Sequence, residues 1–391
     1  MVSNKRRDSI EVKLHNRMLV ILTTLKYGPI SRTELAKKLG MTKGGISPIV
    51  TSLIAEGALQ EVGIEQTSAG RKPTLLSLNG NYMNAIVVHW GRPFYEVAVI
   101  NIRGDIEDSI NGNIEKGETL NDVLSNLNKS IEKIVQRNSR KKIVGIGVAA
   151  PGPIDLSTKT ILKPPYFNNF SNIKVDEMLG KNLNYPIFLE NDADARAIAE
   201  KYFGVGKNYS DFVYISVMEG IGAGIIINGV QYRNDNSYAG EFGHLTINYK
   251  GKLCDCGNRG CLEVYSSIRA IKEKIYELEG KKVKWEDIVS KTIQGDIRYN
   301  KIINESIVAL GSGIISLIHM FQPESIVIGG NIIDLGEKII TTKIKEVVTK
   351  KSIFRNYYTP EIYLSKVKNS CLKGIAMSVF EKILVNNEKC E

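Results

Sequence analysis

A chain of 391 residues with 43% apolar and 24% charged side chains has ordinary globular composition and is too long for one simple core, so two or three domains are expected. No apolar run of about 18 residues stands out as a membrane span, and the start, MVSNKRRDSI, is basic without the apolar stretch of a signal peptide, so a cytoplasmic protein is expected. The formal charge of +10 is uneven: residues 1–80 hold twelve basic and six acidic side chains, a surplus that attracts polyanions.

VKLHNRMLVILTTLKYG sets Val12, Leu14, Met18, Leu19, Ile21, Leu22 and Leu25 on a helical stripe that Gly28 closes. In PISRTELAKKLG, Ser31 and Glu34 have capping-box spacing, Leu35, Ala36 and Leu39 supply a buried face, and Gly40 is the stop. A third helix begins at Thr42, with Ile46, Ile49, Val50, Leu53 and Ile54 recurring at helical spacing. Two short helices joined by Gly40-Met41 make a helix-turn-helix. Its second helix would put Thr42, Lys43, Gly44 and Ser47 into a major groove, and Ser31 and Arg32 are counted among the further DNA contacts. Gly44, Gly45 and Pro48 are poor helix residues, so an irregular first turn is expected.

LQEVGIEQTSAGRKPTLLSLN then reads as two strands around a polar tip of Ser68, Gly70, Arg71 and Lys72, where Arg71 and Lys72 could reach phosphate or the minor groove. Residues 1–80 are therefore expected to be a winged helix-turn-helix domain that binds operator DNA. A three-helix bundle with an incidental basic hairpin is the plainer alternative.

From residue 81 to 391 strands and helices alternate. NAIVVHW and YEVAVINIRGDI read as a hairpin, ETLNDVLSNLNKSIEKIVQRN as an amphipathic helix, and KKIVGIGVAAPGPID as a buried strand entering a Gly/Pro turn. YPIFLENDADARAIAEKYFG is a strand feeding a helix, DFVYISVMEGIGAGIIINGV two strands around glycines, and ESIVIGGNI a late parallel strand. The pattern predicts α/β architecture in two lobes with a ligand cleft.

GKLCDCGNRGCLE packs Cys254, Cys256 and Cys261 among Gly251, Gly257 and Gly260. His244, upstream in AGEFGHLTIN, completes one imidazole and three thiolates, a tetrahedral zinc complement with no position left open for catalysis. A cytoplasmic setting argues against a disulfide and the spacing lacks Cys-x-x-Cys. A metal-free packed cluster is the alternative.

EFGH followed by CDCGNRGCLE resembles the signature of the ROK family (repressors, open reading frames and kinases of sugars). The likeness extends over the winged segment, APGPID, LENDADARAIAE, EGIGAGIIINGV and IVIGG. It implies a fold similar to actin-like sugar kinases, two α/β lobes about a hinge, and a motif histidine that touches both zinc and sugar. Asn191 and Asp192 fall at the C-terminal end of a strand, where an α/β cleft opens, and their groups suit sugar hydroxyls. Glu241, His244 and Glu263 could complete the ring. A helix N-cap is the alternative reading of Asp192.

The resemblance covers both kinases and repressors. The family implies that Asp192 matches the kinase base, yet two phosphate turns depart from the kinase pattern. Where kinases resemble Asp-x-Gly-Gly-Thr this chain has His89-Trp90-Gly91-Arg92-Pro93, and where they carry Gly-Thr-Gly it has Met218-Glu219-Gly220. A glutamate facing a triphosphate is repelled by about 1–4 kcal/mol. The expectation is a non-enzymatic, sugar-responsive repressor working as a homodimer or higher homo-oligomer, with xylose or glucose as effector. An active glucokinase-like sugar kinase with a DNA-binding domain is the alternative, and a scaffold answering to a partner protein a third. A phosphosugar has only Arg92 and Lys163 as possible anchors.

Overall fold

The computed structural model describes residues 9–64, 73–167, 170–179, 184–233 and 239–386. It divides into two compact units, Met1–Ala150 with Ile173–Glu190 and Leu372–Glu391 in one, and Pro151–Asn172 with Asn191–Cys371 in the other.

The first unit opens with helix α1 (Ser9–Tyr27), strand β1 (Ile30–Ser31), α2 (Arg32–Leu39), α3 (Lys43–Ala55) and a hairpin of β2 (Leu59–Ile64) and β3 (Thr74–Leu78). β1 and β2 both pair antiparallel with β3, so the helix-turn-helix of α2 and α3 is braced by a three-stranded wing sheet. Val20, Ile21, Leu35, Ile46, Val50 and Leu53 form its interior, whereas Val12, expected on the buried stripe, is exposed. Ser31 caps α2 by accepting from Glu34 N, and Gly40 at φ 64° ends it in the left-handed region that glycine enters freely.

α3 corrects one expectation. It starts regularly, capped by Thr42, and runs through Pro48. Gly44 and Pro48 are both exposed, so the carbonyl that loses its intrahelical donor at Pro48 can be served by water, which limits the penalty. Arg17 on α1 ties this helix down by donating to Ser52 and to the Glu56 carboxylate.

The same unit continues with β4 (Asn84–Trp90), β5 (Phe94–Asn101), β6 (Ile106–Asn113), α4 (Leu120–Arg137) and β7 (Ile143–Ala150). β4 is buried at every position and β6 alternates between half-buried and exposed, as befits a central and an edge strand. α4 carries a complete capping box between Thr119 and Asp122.

Next come the short β8 (Ile154–Asp155), β9 (Thr160–Ile161) and β10 (Ile173–Lys174), then α5 (Val175–Met178), β11 (Ile187–Asn191), α6 (Asp192–Phe203), β12 (Phe212–Val217), β13 (Ile221–Ile227) and β14 (Val230–Gln231). The remaining elements are α7 (Glu263–Ser266), α8 (Ile268–Glu279), α9 (Trp285–Ile293), α10 (Ile297–Phe321), β15 (Ser325–Gly329), α11 (Glu337–Lys351), β16 (Glu361–Leu364) and α12 (Ser370–Asn386).

Among the described residues the larger sheets run β11-β7-β4-β5-β6 and β14-β13-β12-β15-β16. Each is an antiparallel meander beside which a parallel strand is added, β7 next to β4 and β15 next to β12, in the same strand order. The turn 91–93 after β4 and the turn 218–220 after β12 are therefore equivalent corners of two like sheets. α10 is long and apolar enough to cross a membrane by composition, but Ile303, Ile307, Leu310, Ile314 and Ile318 bury its apolar face in the core of the second unit.

Candidate functional site

The four predicted metal ligands converge. One donor atom each from His244, Cys254, Cys256 and Cys261 lies within 4.8 Å of all the others. His244 Nδ1 stands 3.6 Å from Cys254 Sγ, and Cys256 Sγ 3.6 Å from Cys261 Sγ. Tetrahedral zinc, with bonds of about 2.3 Å to sulfur and 2.0–2.1 Å to nitrogen, sets thiolate pairs about 3.8 Å apart and thiolate–imidazole pairs about 3.6 Å apart. The thiols are not disulfide-bonded.

Burial and the neighbouring thiols push Cys261 up to about 12, and burial raises Cys254 above its ordinary value. Thiols so reluctant to ionise alone suit a dication, which deprotonates its sulfur ligands outright. The Asn258 amide donates to Cys261 Sγ at 3.5 Å and to Thr246 Oγ1 at 2.8 Å, the outer support a metal thiolate needs. Glycine is obligatory in this loop at Gly260: φ is 73° and an added Cβ would lie 1.6 Å from the Asn248 carbonyl oxygen.

The predicted sugar residues occupy the same unit. Asn191, not Asp192, is the N-cap of α6: its Oδ1 accepts from Ala193 N at 2.8 Å and from Asp194 N at 3.4 Å. That frees the Asp192 carboxylate from capping. It also fixes the Asn191 amide toward Gly152, where an added Cβ would come 2.7 Å from Asn191 Nδ2 and 3.3 Å from Glu241 Oε1. Gly152 thus keeps open a small space edged by an amide and a carboxylate, a role that the APGPID motif alone did not assign.

Glu241 is solvent-accessible at its edge, yet burial of its carboxyl raises it above its ordinary value. The His244 imidazole counters this, and the carboxylates of Glu263 and Asp192 add to it. Glu241 therefore lies within electrostatic reach of all three. Glu263 is buried, with Oε2 accepting from Ile221 N at 2.9 Å and Oε1 from Arg269 Nη2 at 3.1 Å. Arg269 is a partner the sequence reading missed, and no local motif announces it. Lys163 is exposed.

The two turns that depart from the kinase pattern have their own side-chain partners. Trp90 is fully buried at the end of β4. The Phe94 ring packs over Gly91 so closely that an added Cβ would come 2.6 Å from it, and it meets the His89 ring edge-on at 5.1 Å. At the other turn Glu219 is held by Lys272 Nζ at 2.6 Å, and Met218 Sδ lies 3.6 Å from Arg196 Nη2.

On the N-terminal helices Thr42, Lys43, Gly44 and Ser47 form an exposed row at the start of α3. The Thr42 hydroxyl accepts from Gly45 N at 3.1 Å and the Ser47 hydroxyl donates to the Lys43 carbonyl at 2.8 Å. Helix N-termini favour anions. Arg32 is paired with Glu61 at 3.2 Å. Ser31 is buried and spends its hydroxyl on capping, so it does not belong to the exposed row. Ser68, Gly70, Arg71 and Lys72 lie outside the described residues.

The chain thus carries helices α2 and α3 with their three-stranded sheet at its N-terminal end, two α/β sheets of like strand order, and a loop of three cysteines with His244 close upstream. The profile of the ROK family matches residues 86–377, and the chain belongs to that family. It is 32% identical over 389 residues to a xylose repressor of Caldicellulosiruptor bescii, covering 95% of this chain and 97% of that protein. To the xylose repressor of Bacillus subtilis (strain 168) it is 31% identical over 346 residues, covering 88% and 89%.

Among solved structures, a ROK family transcriptional regulator described as a homolog of the E. coli MLC protein superposes with TM-score 0.80 at 26% identity, over 97% of this chain and 99% of that one. A ROK family glucokinase from Streptomyces griseus shares the fold, with TM-score 0.66 at 22% identity, over 75% of this chain and 98% of its own.

Proposed function

We propose that this chain is a sugar-responsive transcriptional repressor whose winged segment, residues 1–80, binds operator DNA and whose ROK body, residues 81–391, senses a sugar. The observation that carries this reading is the extent of the likeness. Xylose repressors match the chain over 95% and 88% of its length, whereas the glucokinase fold matches 75%. The glucokinase leaves a quarter of the chain unmatched, and the family profile begins at residue 86, after the winged segment.

In this reading Thr42, Lys43, Gly44 and Ser47 meet base edges or phosphates, with Arg32, Arg71 and Lys72 supplying backbone contacts. Asn191, Asp192, Glu241, His244 and Glu263 bind sugar hydroxyls, and D-xylose is the first effector to test because of the relatives' names. His244, Cys254, Cys256 and Cys261 would hold zinc as a closed structural brace that supplies no open coordination position. The imidazole would give Nδ1 to the metal and leave Nε2 for the sugar. Two copies acting as a homodimer would read two half-sites. Sugar must bind the DNA-free and DNA-bound states with different affinity for anything to be switched, and release of DNA requires tighter binding to the DNA-free state.

Chemistry is not the task of this body. At the turn after β4 Pro93 has no N–H to offer and the Phe94 ring packs on Gly91, and at the turn after β12 the Glu219 carboxylate, paired to Lys272, would repel a triphosphate, which supports this reading.

Thermal shift against D-xylose, D-glucose and N-acetylglucosamine tests the sensor, since a ligand at about 100 times its Kd adds about 2.7 kcal/mol of stability. One sugar should raise Tm. No shift with any sugar, together with intact operator binding, would favour a scaffold that answers to a partner protein.

A further inference from the structure

Arg269, on α8, is engaged on three sides. Nη2 donates to Glu263 Oε1 at 3.1 Å and Nη1 to Asp255 Oδ2 at 3.0 Å. Nη1 also donates to the Tyr166 hydroxyl, and the guanidinium carbon lies 4.0 Å from the centre of the Tyr166 ring. Asp255 sits between the metal-ligand candidates Cys254 and Cys256. The Arg269 side chain is 18% exposed and that of Glu263 is 8% exposed, whereas Asp255 is 56% exposed. One cation therefore joins a buried carboxylate to a surface carboxylate of the cysteine loop, under an aromatic lid.

The geometry suits arginine specifically. A planar guanidinium presents several donors in a fixed fork and stacks on an aromatic ring, so it can serve two carboxylates at once, where an ammonium is a single point charge. Glu263 is held from both sides, by Arg269 at Oε1 and by Ile221 N at Oε2. Each oxygen keeps one further acceptor direction, and both directions are fixed in space.

We propose that Arg269 is a positioning residue for the sugar site. It holds Glu263 in the orientation that meets a sugar hydroxyl and, through Asp255, makes that orientation depend on the ordered cysteine loop. The inference rests on the reading that Glu263 contacts sugar. It adds that metal loading and sugar affinity are coupled, and it names the link.

The test uses the full chain, purified with zinc and after chelation, with D-xylose affinity read by calorimetry and Tm, metal content and sugar-free operator affinity measured alongside. In the parent, chelation should weaken D-xylose binding. Arg269→Lys should weaken D-xylose binding to the zinc-loaded protein by about tenfold, with metal content and sugar-free operator affinity unchanged. Chelation should then cost the variant little more, because the link is already cut. Asp255→Asn, a surface change, should lose most of the metal dependence while keeping more of the affinity, and it carries the test if Arg269→Lys does not fold.

Variants that bind D-xylose like the parent, or that keep the parent's full dependence on metal, overturn the proposal while leaving the sugar site standing. A parent that binds no sugar, or an Asp192→Asn variant that binds as well as the parent, brings down the sugar-site reading and this inference with it.

Discussion

His244 turns Nδ1 toward Cys254 Sγ at 3.6 Å, within a quartet of donor atoms that Cys256 and Cys261 complete. Glu241, three residues earlier, lies within electrostatic reach of His244, Glu263 and Asp192. On the proposed reading, a side chain shared between the cysteine cluster and the neighbouring carboxylates would tie loop order to ligand recognition.

The brace can be tested at its exposed ligand. Cys256→Ser should lower metal content from about one zinc per chain, because a serine hydroxyl is a poor replacement for a thiolate. Sugar response should suffer more than sugar-free operator binding. Plasma emission spectrometry and operator titration of the same preparation check both. Unchanged release of operator by a metal-free protein would reduce the three cysteines to packing.

The wing assignment is checked by salt. Arg71→Ala with Lys72→Ala should weaken operator binding and reduce the slope of log K against log salt by about 2, since each lost phosphate contact removes about 0.9. An unchanged affinity and slope would place the DNA contacts elsewhere.

How much of this was legible in the sequence depended on range. The quartet of candidate metal ligands lies between His244 and Cys261, a single loop and its approach, and its glycines announce the tight turns. The helix-turn-helix was equally local. Contacts made far along the chain were not readable: Arg269 meets Tyr166 from 103 residues away, and nothing in either sequence neighbourhood requires it.

The common strand order of the two sheets was likewise hidden, because it rests on pairings such as Phe212 with Ser325. Helices α8, α9 and α11 have ordinary amphipathic sequences whose packing partners only the tertiary fold selects. Two local features depend on surroundings that the sequence does not display. Ser31 is buried and spends its hydroxyl on capping α2, and α3 runs regularly through Pro48, whose freed carbonyl belongs to an exposed glycine.

Glu241 gives a pH signature. Burial raises its pKa above the ordinary 4.5, so the folded protein holds that proton more tightly than the unfolded chain. Its contribution is fully present below pH 4.5 and is lost as pH rises through the higher folded value. Glu241→Gln has no such loss. The Tm of the variant relative to the parent should therefore climb with pH across that window and level off above it, while sugar binding is lost. A Tm difference independent of pH would show that Glu241 is not strained in the sugar-free protein.

The blocked turns predict an absence of chemistry. Purified protein with ATP, Mg²⁺ and D-xylose, D-glucose or N-acetylglucosamine should yield no phosphorylated sugar above background. Turnover that disappears in Asp192→Asn would restore the kinase reading, because loss of a positioned base costs about 100-fold or more.

The central claim, that sugar bound by the ROK body releases DNA held by the winged head, is tested most directly by fluorescence anisotropy on an operator fragment selected by the protein from random duplexes. D-xylose titrated into the preformed complex should release the fragment from the parent protein, while Asp192→Asn should bind the fragment equally well and keep it at every sugar concentration. Retention by the parent across D-xylose, D-glucose and N-acetylglucosamine, or equal release from both proteins, would contradict the account.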